Sequence, residues 1–404
     1  MSAPASEDRS EVRTGASVGA RPAGTSLWDA VVGQDDVVAT LTSAAARPET
    51  MTHAWLITGP PGSGRSVAAR AFAAALQAPD DPEGTSHEAR TAFNGTHADV
   101  TVHVTERLII TIDEARTLVD TAYRAPAQGR WRVIIIEDAD RIAERTSNVL
   151  LKAIEEPPPR TVWLLCAPSP MDMLPTIRSR CRQINLRVPD PQAVADLLVQ
   201  RDGVEPALAL ECARAAQSHI GVASRLARNP EARAYRERVL RIPSRIRGVG
   251  DAVLAAGELV DEATEQSKLA TTERDAEERV ELMRNLGVTE GEKLPPSLRS
   301  QLRQLEDDQK RRARRALLDT IDRALVDLLS YYRDVLVTQL GSDVHLVNTA
   351  AELSIRELAG DSTSEQSLRR MQAIGRTRAR FDEFGTIAPL LAIESLFIAL
   401  RPQG

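Results

Sequence analysis

The apolar positions first gather in short unbroken runs. HAWLITG (53–59), RVIIIED (132–138) and TVWLLCAP (161–168) show no alternation. Each predicts a strand buried on both faces. VTVHV (100–104) alternates and predicts a further strand. Between these runs the apolar spacing is helical. LWDAVVGQDDVVATLTSAAA predicts a turn followed by an amphipathic helix, with order beginning near Leu27–Trp28. RSVAARAFAAALQA (65–78) predicts a helix directly after a Gly-rich turn. TIDEARTLVDTAYRAP predicts another, with Thr111 as its cap. ERTSNVLLKAIEEPPP predicts a helix stopped by three prolines, and LPTIRSRCRQINL a helix followed by a short strand. Segment 79–98 has little pattern and reads as a loop. Strands alternating with helices predict a parallel sheet covered on both faces, ending near Val188–Pro189.

Beyond 189 the strand pattern stops. Residues 190–243 read as several short helices, a small all-α domain, with Pro243 marking its end. The chain is then helical at long range to 404. The stretch from Ser297 to Leu340 reads as one helix of about forty residues, and GEKLPPS (291–297) as a loop before it. Residues 1–26 are rich in Ser, Ala, Gly and charge and read as a disordered tail.

Composition agrees with this division. A chain of 404 residues is long enough for two or three domains. Aromatics are only 3%, while Ala, Arg and Leu recur, as in helix-rich proteins. The net charge of −6 argues against a free-standing nucleic-acid binder. Cys166, Cys181 and Cys212 are odd in number and widely spaced, which fits a reducing cytoplasm rather than a disulfide framework. No apolar run approaches the ~20 residues that span a bilayer, and the first residues lack the apolar centre of a signal peptide.

The chemistry concentrates in GPPGSGRS (59–66). A Gly-rich turn between strand and helix lets backbone N–H groups surround phosphate oxygens, and the helix N-terminus adds partial positive charge. Gly59, Gly62, Gly64 and Ser66 supply the backbone and metal positions. Position 65 holds Arg where such loops carry Lys, and a planar guanidinium is not interchangeable with a compact ammonium. The acids after the second unbroken apolar run are Glu137 then Asp138, the reverse of the usual Asp–Glu order for metal support and water positioning. Arg180, in the tripeptide Ser179–Cys181, stands at the expected domain edge, where it could reach a neighbour's γ-phosphate. The same residue alone would read as a surface arginine.

The order V-x-G-Q (Val32–Gln34), GPPGSGRS, VIIIEDADR, N-x-LLK-x-x-EEPP (Asn148–Pro158), a strand and LPTIRSRC resembles the AAA+ clamp-loader subunits of bacterial DNA replication. The resemblance is strong over 27–190 and weaker over 190–245. It implies an α/β AAA+ P-loop domain (27–189), a small helical lid domain (190–243) and an all-α collar, or oligomerisation, domain (244–404). It implies partners too: motor subunits and a delta subunit in a hetero-pentamer that loads a sliding clamp onto primed DNA. It assigns Arg180 as an arginine finger acting in trans.

Four features depart from active motors of that family: Arg65, the Glu137–Asp138 order, no Thr in Cys166–Ser169 after the next strand, and Ser224 where a small-domain Arg is expected, Arg225 coming one later. Together they imply a delta-prime-like, non-hydrolysing subunit with at most weak ATP–Mg binding at Gly59, Gly62, Gly64, Arg65, Ser66, Glu137 and Asp138. The family's zinc module has Cys at three-residue spacing, but the matching positions are Glu83, Ser86 and Ala89, with only His87 and His97 nearby, so no zinc is expected. The basic run KRRARR (310–315) reads as a solvated helix face or as a contact for DNA phosphates. The alternative reading is an active AAA+ ATPase, a motor subunit or another DNA-remodelling ring. No carboxylate set is placed for nucleotidyl transfer.

Overall fold

A computed structural model describes residues 26–47, 51–105, 109–285, 296–383 and 387–402. The tail expected over 1–26 and most of the GEKLPPS loop lie outside them. The chain divides into two compact units, 1–228 and 229–404.

The first unit is built on five parallel strands: β1 (Ala54–Thr58), β2 (Val100–His103), β3 (Arg132–Ile136), β4 (Thr161–Ala167) and β5 (Arg182–Asn185). Their spatial order is β2-β3-β4-β1-β5. Every residue of β1, β3 and β4 is buried, while the edge strands β2 and β5 are partly open. The unbroken apolar runs are thus the three central strands, which water reaches from neither face.

Alternate side chains take opposite faces of the sheet. Trp55, Ile57, Val133, Ile135 and Leu164 pack with helices α1 (Asp35–Ala46), α2 (Arg65–Gln77) and α3 (His87–Asn94). Leu56, Ile134, Ile136, Trp163 and Leu165 pack with α4 (Ile112–Ala122), α5 (Glu144–Glu155) and α6 (Pro175–Arg178). The indoles are satisfied within the core: Trp55 Nε1 donates to the Thr52 carbonyl and Trp163 Nε1 to that of Ala153.

Thr111 caps α4 as expected. Its hydroxyl accepts from the Glu114 N–H, and the Glu114 carboxylate accepts from the Thr111 N–H, a complete capping box. The loop expected over 79–98 is corrected, because α3 forms within it. Ser86 caps its first turn, Gly95 ends it in the left-handed region, and Ala89, Ala92 and Phe93 are buried. Eight residues are too few to show a helical period in sequence.

Three helices complete the first unit: α7 (Pro191–Asp202), α8 (Pro206–Ala215) and α9 (Ile220–Arg228). The second unit is entirely helical among the described residues: α10 (Pro230–Arg245), α11 (Val249–Asn285), α12 (Pro296–Gln339), α13 (Glu352–Asp361), α14 (Ser364–Glu383) and α15 (Pro389–Leu400). Pro243 lies inside α10 rather than at a boundary. It falls in the last turn, and the helix ends two residues later at Arg245.

Helix α12 has 44 residues, in keeping with the long unbroken pattern. It runs antiparallel to α11, with Arg312 paired to Asp275 and Glu278, and Arg279 to Glu306. The basic run is largely engaged inside its own unit. Lys310 pairs with Asp307 and Arg311 with Asp308, and Arg314 donates to the Ile387 carbonyl.

One buried carboxylate organises the loop after α12. Asp334 is fully buried and accepts from the backbone N–H of Val347 and Asn348, the Asn348 amide and Arg333. Removing it strands those donors in the core. Asp334→Ala is expected to destabilise the second unit by about 2–4 kcal/mol in urea unfolding. A loss below about 0.5 kcal/mol would show that the loop is held by other contacts.

Candidate functional site

The Gly-rich turn follows β1 and feeds α2, as the spacing predicts. Gly64 takes φ 90° and caps α2, leaving the first-turn N–H groups without a side-chain acceptor. This is the geometry of a phosphate cradle. What fills and surrounds it differs from the pattern that the sequence suggests.

Arg65 turns back on its own loop. Its NH1 donates to the Gly59 carbonyl at 2.7 Å. A Cβ at Gly59 would lie 2.6 Å from Ser63 Oγ and 2.9 Å from the Leu186 carbonyl, so only glycine fits there. Gly62, at φ +84°, faces His219, with a Cβ position 2.4 Å from the ring and 2.6 Å from the His219 Cα. The clash is with backbone, so no side chain is accommodated. His219 comes from the turn between α8 and α9, where Gln217 and Ser218 both have positive φ, an arrangement costly for residues other than glycine. That strained turn seats the imidazole against the loop. Ser66 lies half-buried in the first turn of α2.

Of the two acids after β3, Glu137 is drawn away from the loop. Arg70, on the buried face of α2, donates to Glu137 Oε1 through Nε at 3.0 Å and NH2 at 2.8 Å. The Arg70 side chain is only 3% exposed, so this partner satisfies a charge that burial makes costly to leave alone. Asp138 is half-buried, with the Arg141 guanidinium at 3.9 Å. Burial raises the Asp140 carboxyl, and the charge of Asp138 raises it further. Cys166 is the penultimate residue of β4, and burial pushes its thiol well above the ordinary range. Burial likewise pushes the Cys181 thiol up to about 12. Both are free thiols.

Ser224 is held by the end of α7. Its hydroxyl donates to Asp202 Oδ2 and accepts from Arg201 NH2, each at 2.9 Å. Arg201 also grips Asp202 directly, and Arg228 joins them. At the other edge, Gln34 of the V-x-G-Q motif makes two amide bonds to the backbone of Arg187, at 2.7 and 3.1 Å. A cleft of about 380 Å³ opens between that segment and α7, lined by Trp28, Val31, Gly33, Val38, Ala193 and Leu197.

Arg180 lies past the end of α6, part-exposed. Its Nε and NH2 both engage Glu155, the last residue of α5, and its NH1 donates to the Thr176 carbonyl at 2.7 Å. The structure therefore brings Gly59, Gly62, Gly64, Arg65 and Ser66 into one turn and places Glu137 and Asp138 at the end of the neighbouring region of sheet. Arg180 belongs to a separate cluster with Glu155.

The zinc positions carry other duties. Ser86 caps α3 and Ala89 is core. His97 Nδ1 accepts from the Asp99 N–H, and burial holds its pKa down. These residues do not fit a tetrahedral zinc set, and no group of three candidate ligands occurs among the described residues.

Against known proteins, residues 33–190 match the family model described as DNA polymerase III, delta subunit. The sheet order and the loop after β1 give this region the AAA+ α/β architecture that the motifs implied. A gamma/tau subunit of DNA polymerase III from Mycobacterium tuberculosis is 33% identical over 181 residues, covering 42% of this chain and 30% of that protein. A delta' subunit from Pseudomonas aeruginosa is 34% identical over 165 residues, covering 39% and 50%. The chain thus spans half or less of the length of these relatives. A solved gamma subunit-related protein from Thermotoga maritima covers 91% of the chain at 18% identity, with a TM-score of 0.45. No helix among the described residues is long and apolar enough to cross a membrane.

Sequence reading missed Arg70, His219 and Asp202, and met Glu155 only as part of the motif N-x-LLK-x-x-EEPP. The signals were slight: a lone Arg on the apolar face of an Ala-rich helix, and an isolated His two residues before a Gly. Asp202 is the most readily tested. Burial alone would raise its carboxyl, but hydrogen bonds from Arg201 and Ser224 outweigh that and bring it to about 2 from 3.8. A depressed folded pKa stabilises above the unfolded value and is lost as pH falls through the folded one. The chain is expected to lose about 1–2 kcal/mol between pH 4 and pH 2 through this group. Asp202→Asn should remove that segment of the acid-unfolding curve. A variant curve parallel to the parent's across the window would refute the assignment.

Proposed function

We propose that this chain is a delta-prime-type, non-hydrolysing subunit of the DNA polymerase III clamp loader. Its Arg180 supplies an arginine finger to the ATP site of a neighbouring motor subunit. The observation that carries the reading is the engagement of the chain's own site by its own side chains. The loop cation bonds the Gly59 carbonyl, the first acid is held by Arg70, and His219 abuts Gly62. Hydrolysis needs a cation on the β/γ phosphates, an acid on Mg²⁺ and another positioning water. Here the cation and the first acid are committed elsewhere. The residues therefore do not fit a hydrolytic ATP–Mg site.

In this reading the partners are motor subunits and a delta subunit in a hetero-pentamer, with the sliding clamp and primed DNA reached through the assembly in the cytoplasm. Helices α7–α9 are the lid, and the second unit, from 229, is the collar that joins the ring. The chain contributes stiffness and one catalytic group in trans. A guanidinium aimed at the transferring phosphoryl group stabilises the charge that develops there, an effect worth on the order of 10³ in rate.

Two measurements test this. Titration of the isolated chain with labelled ATP and Mg²⁺ should show no saturable binding and no turnover up to about 1 mM, where active sites fill. Turnover by the isolated chain would instead make it an active AAA+ ATPase. In the reconstituted assembly, Arg180→Ala should cut hydrolysis at the adjoining site by on the order of 10³. Unchanged clamp- and DNA-stimulated turnover would remove the finger role.

A further inference from the structure

All three nitrogens of the Arg180 guanidinium are engaged by its own chain. Nε and NH2 both engage Glu155, and NH1 donates to the Thr176 carbonyl. A phosphate oxygen approaching from a neighbouring subunit must displace Glu155 before it can take the Nε–NH2 edge of the fork. Glu155 ends α5 and comes from the motif N-x-LLK-x-x-EEPP, 25 residues before the arginine it holds. Its backbone is committed to the helix, and its side chain makes no other contact among the described residues. The two side chains are 35% and 43% exposed.

We propose that Glu155 is a latch. It holds Arg180 against its own subunit and releases it when a nucleoside triphosphate on the adjoining subunit presents its terminal phosphate. This rests on the finger reading above and adds the residue that regulates it. The exposure sets the strength. Exposed ion pairs are weak, so the latch orders the side chain without trapping it. A triphosphate carries more charge than one carboxylate and offers bidentate acceptors in a dry interface, so it wins the exchange. Without the Glu155 carboxylate the arginine would be free to bind any passing anion; with it, engagement is conditional on a multivalent partner.

The test is a double-mutant cycle in the reconstituted assembly, with Glu155→Gln, Arg180→Ala and the pair. Glutamine keeps the size and loses the charge. Glu155→Gln is expected to raise kcat/KM for ATP in the absence of clamp and DNA by about two- to fivefold, the range an exposed pair allows. The increase should vanish in the Arg180→Ala background. If Glu155→Gln lowers turnover, or leaves it unchanged while Arg180→Ala abolishes it, the latch is overturned and the finger stands. If Arg180→Ala itself leaves turnover unaltered, the finger reading fails first. Urea unfolding of the isolated Glu155→Gln chain should match the parent, since the residue lies at an exposed helix end.

Discussion

A buried cation needs a buried anion, and in the first unit that requirement joins Arg70 to Glu137. The Arg70 side chain lies among the alanines of α2, the helix that leaves the Gly-rich turn, while Glu137 follows the central strand β3. Their pairing fixes α2 to the sheet and also decides what Glu137 can do. Both guanidinium hydrogen bonds fall on Oε1, a charge-assisted pair that holds the carboxylate toward α2. The same economy recurs around the loop, where Arg65 caps the Gly59 carbonyl and His219 packs on Gly62. Groups that a hydrolytic site would point at phosphate are turned to holding the domain together.

The first unit thus keeps the strand–turn–helix frame of a nucleotide site while its polar side chains serve packing. Alanine-rich α2 is buried along nearly its whole length. The Gly-rich turn is needed to start it, because side chains at 59 or 62 would collide with neighbouring backbone. Retention of those glycines therefore has a structural cause that does not require nucleotide. Ser224 follows the same logic. It closes a cluster with Arg201 and Asp202 that ties α9 to α7, a role a long cation at that position could not fill in the same space.

Much of this was legible in the chain. Continuous apolar runs marked β1, β3 and β4 because those strands are covered on both faces, and Thr111 with Glu114 wrote out a capping box. The long helix α12 showed its length through an unbroken pattern. The chemistry at Gly59, Gly62, Gly64 and Ser66 was legible as spacing, and the departures at Arg65, Glu137 and Asp138 as residue identity. Helix α3 was not, since its evidence is a cap at each end and three buried residues between. Nor was the placement of Pro243, which reads as a breaker although α10 runs two residues beyond it.

The sequence by itself determined the parallel sheet, the Gly-rich turn and the succession of helices, because local periodicity and turn chemistry act over a few residues. Only the tertiary structure decided where each charged side chain went. Arg70 and Glu137 are separated by 67 positions, and Arg180 and Glu155 by 25. Pairing at such separations is set by which helix and strand ends meet when apolar faces are buried, and no local pattern records it.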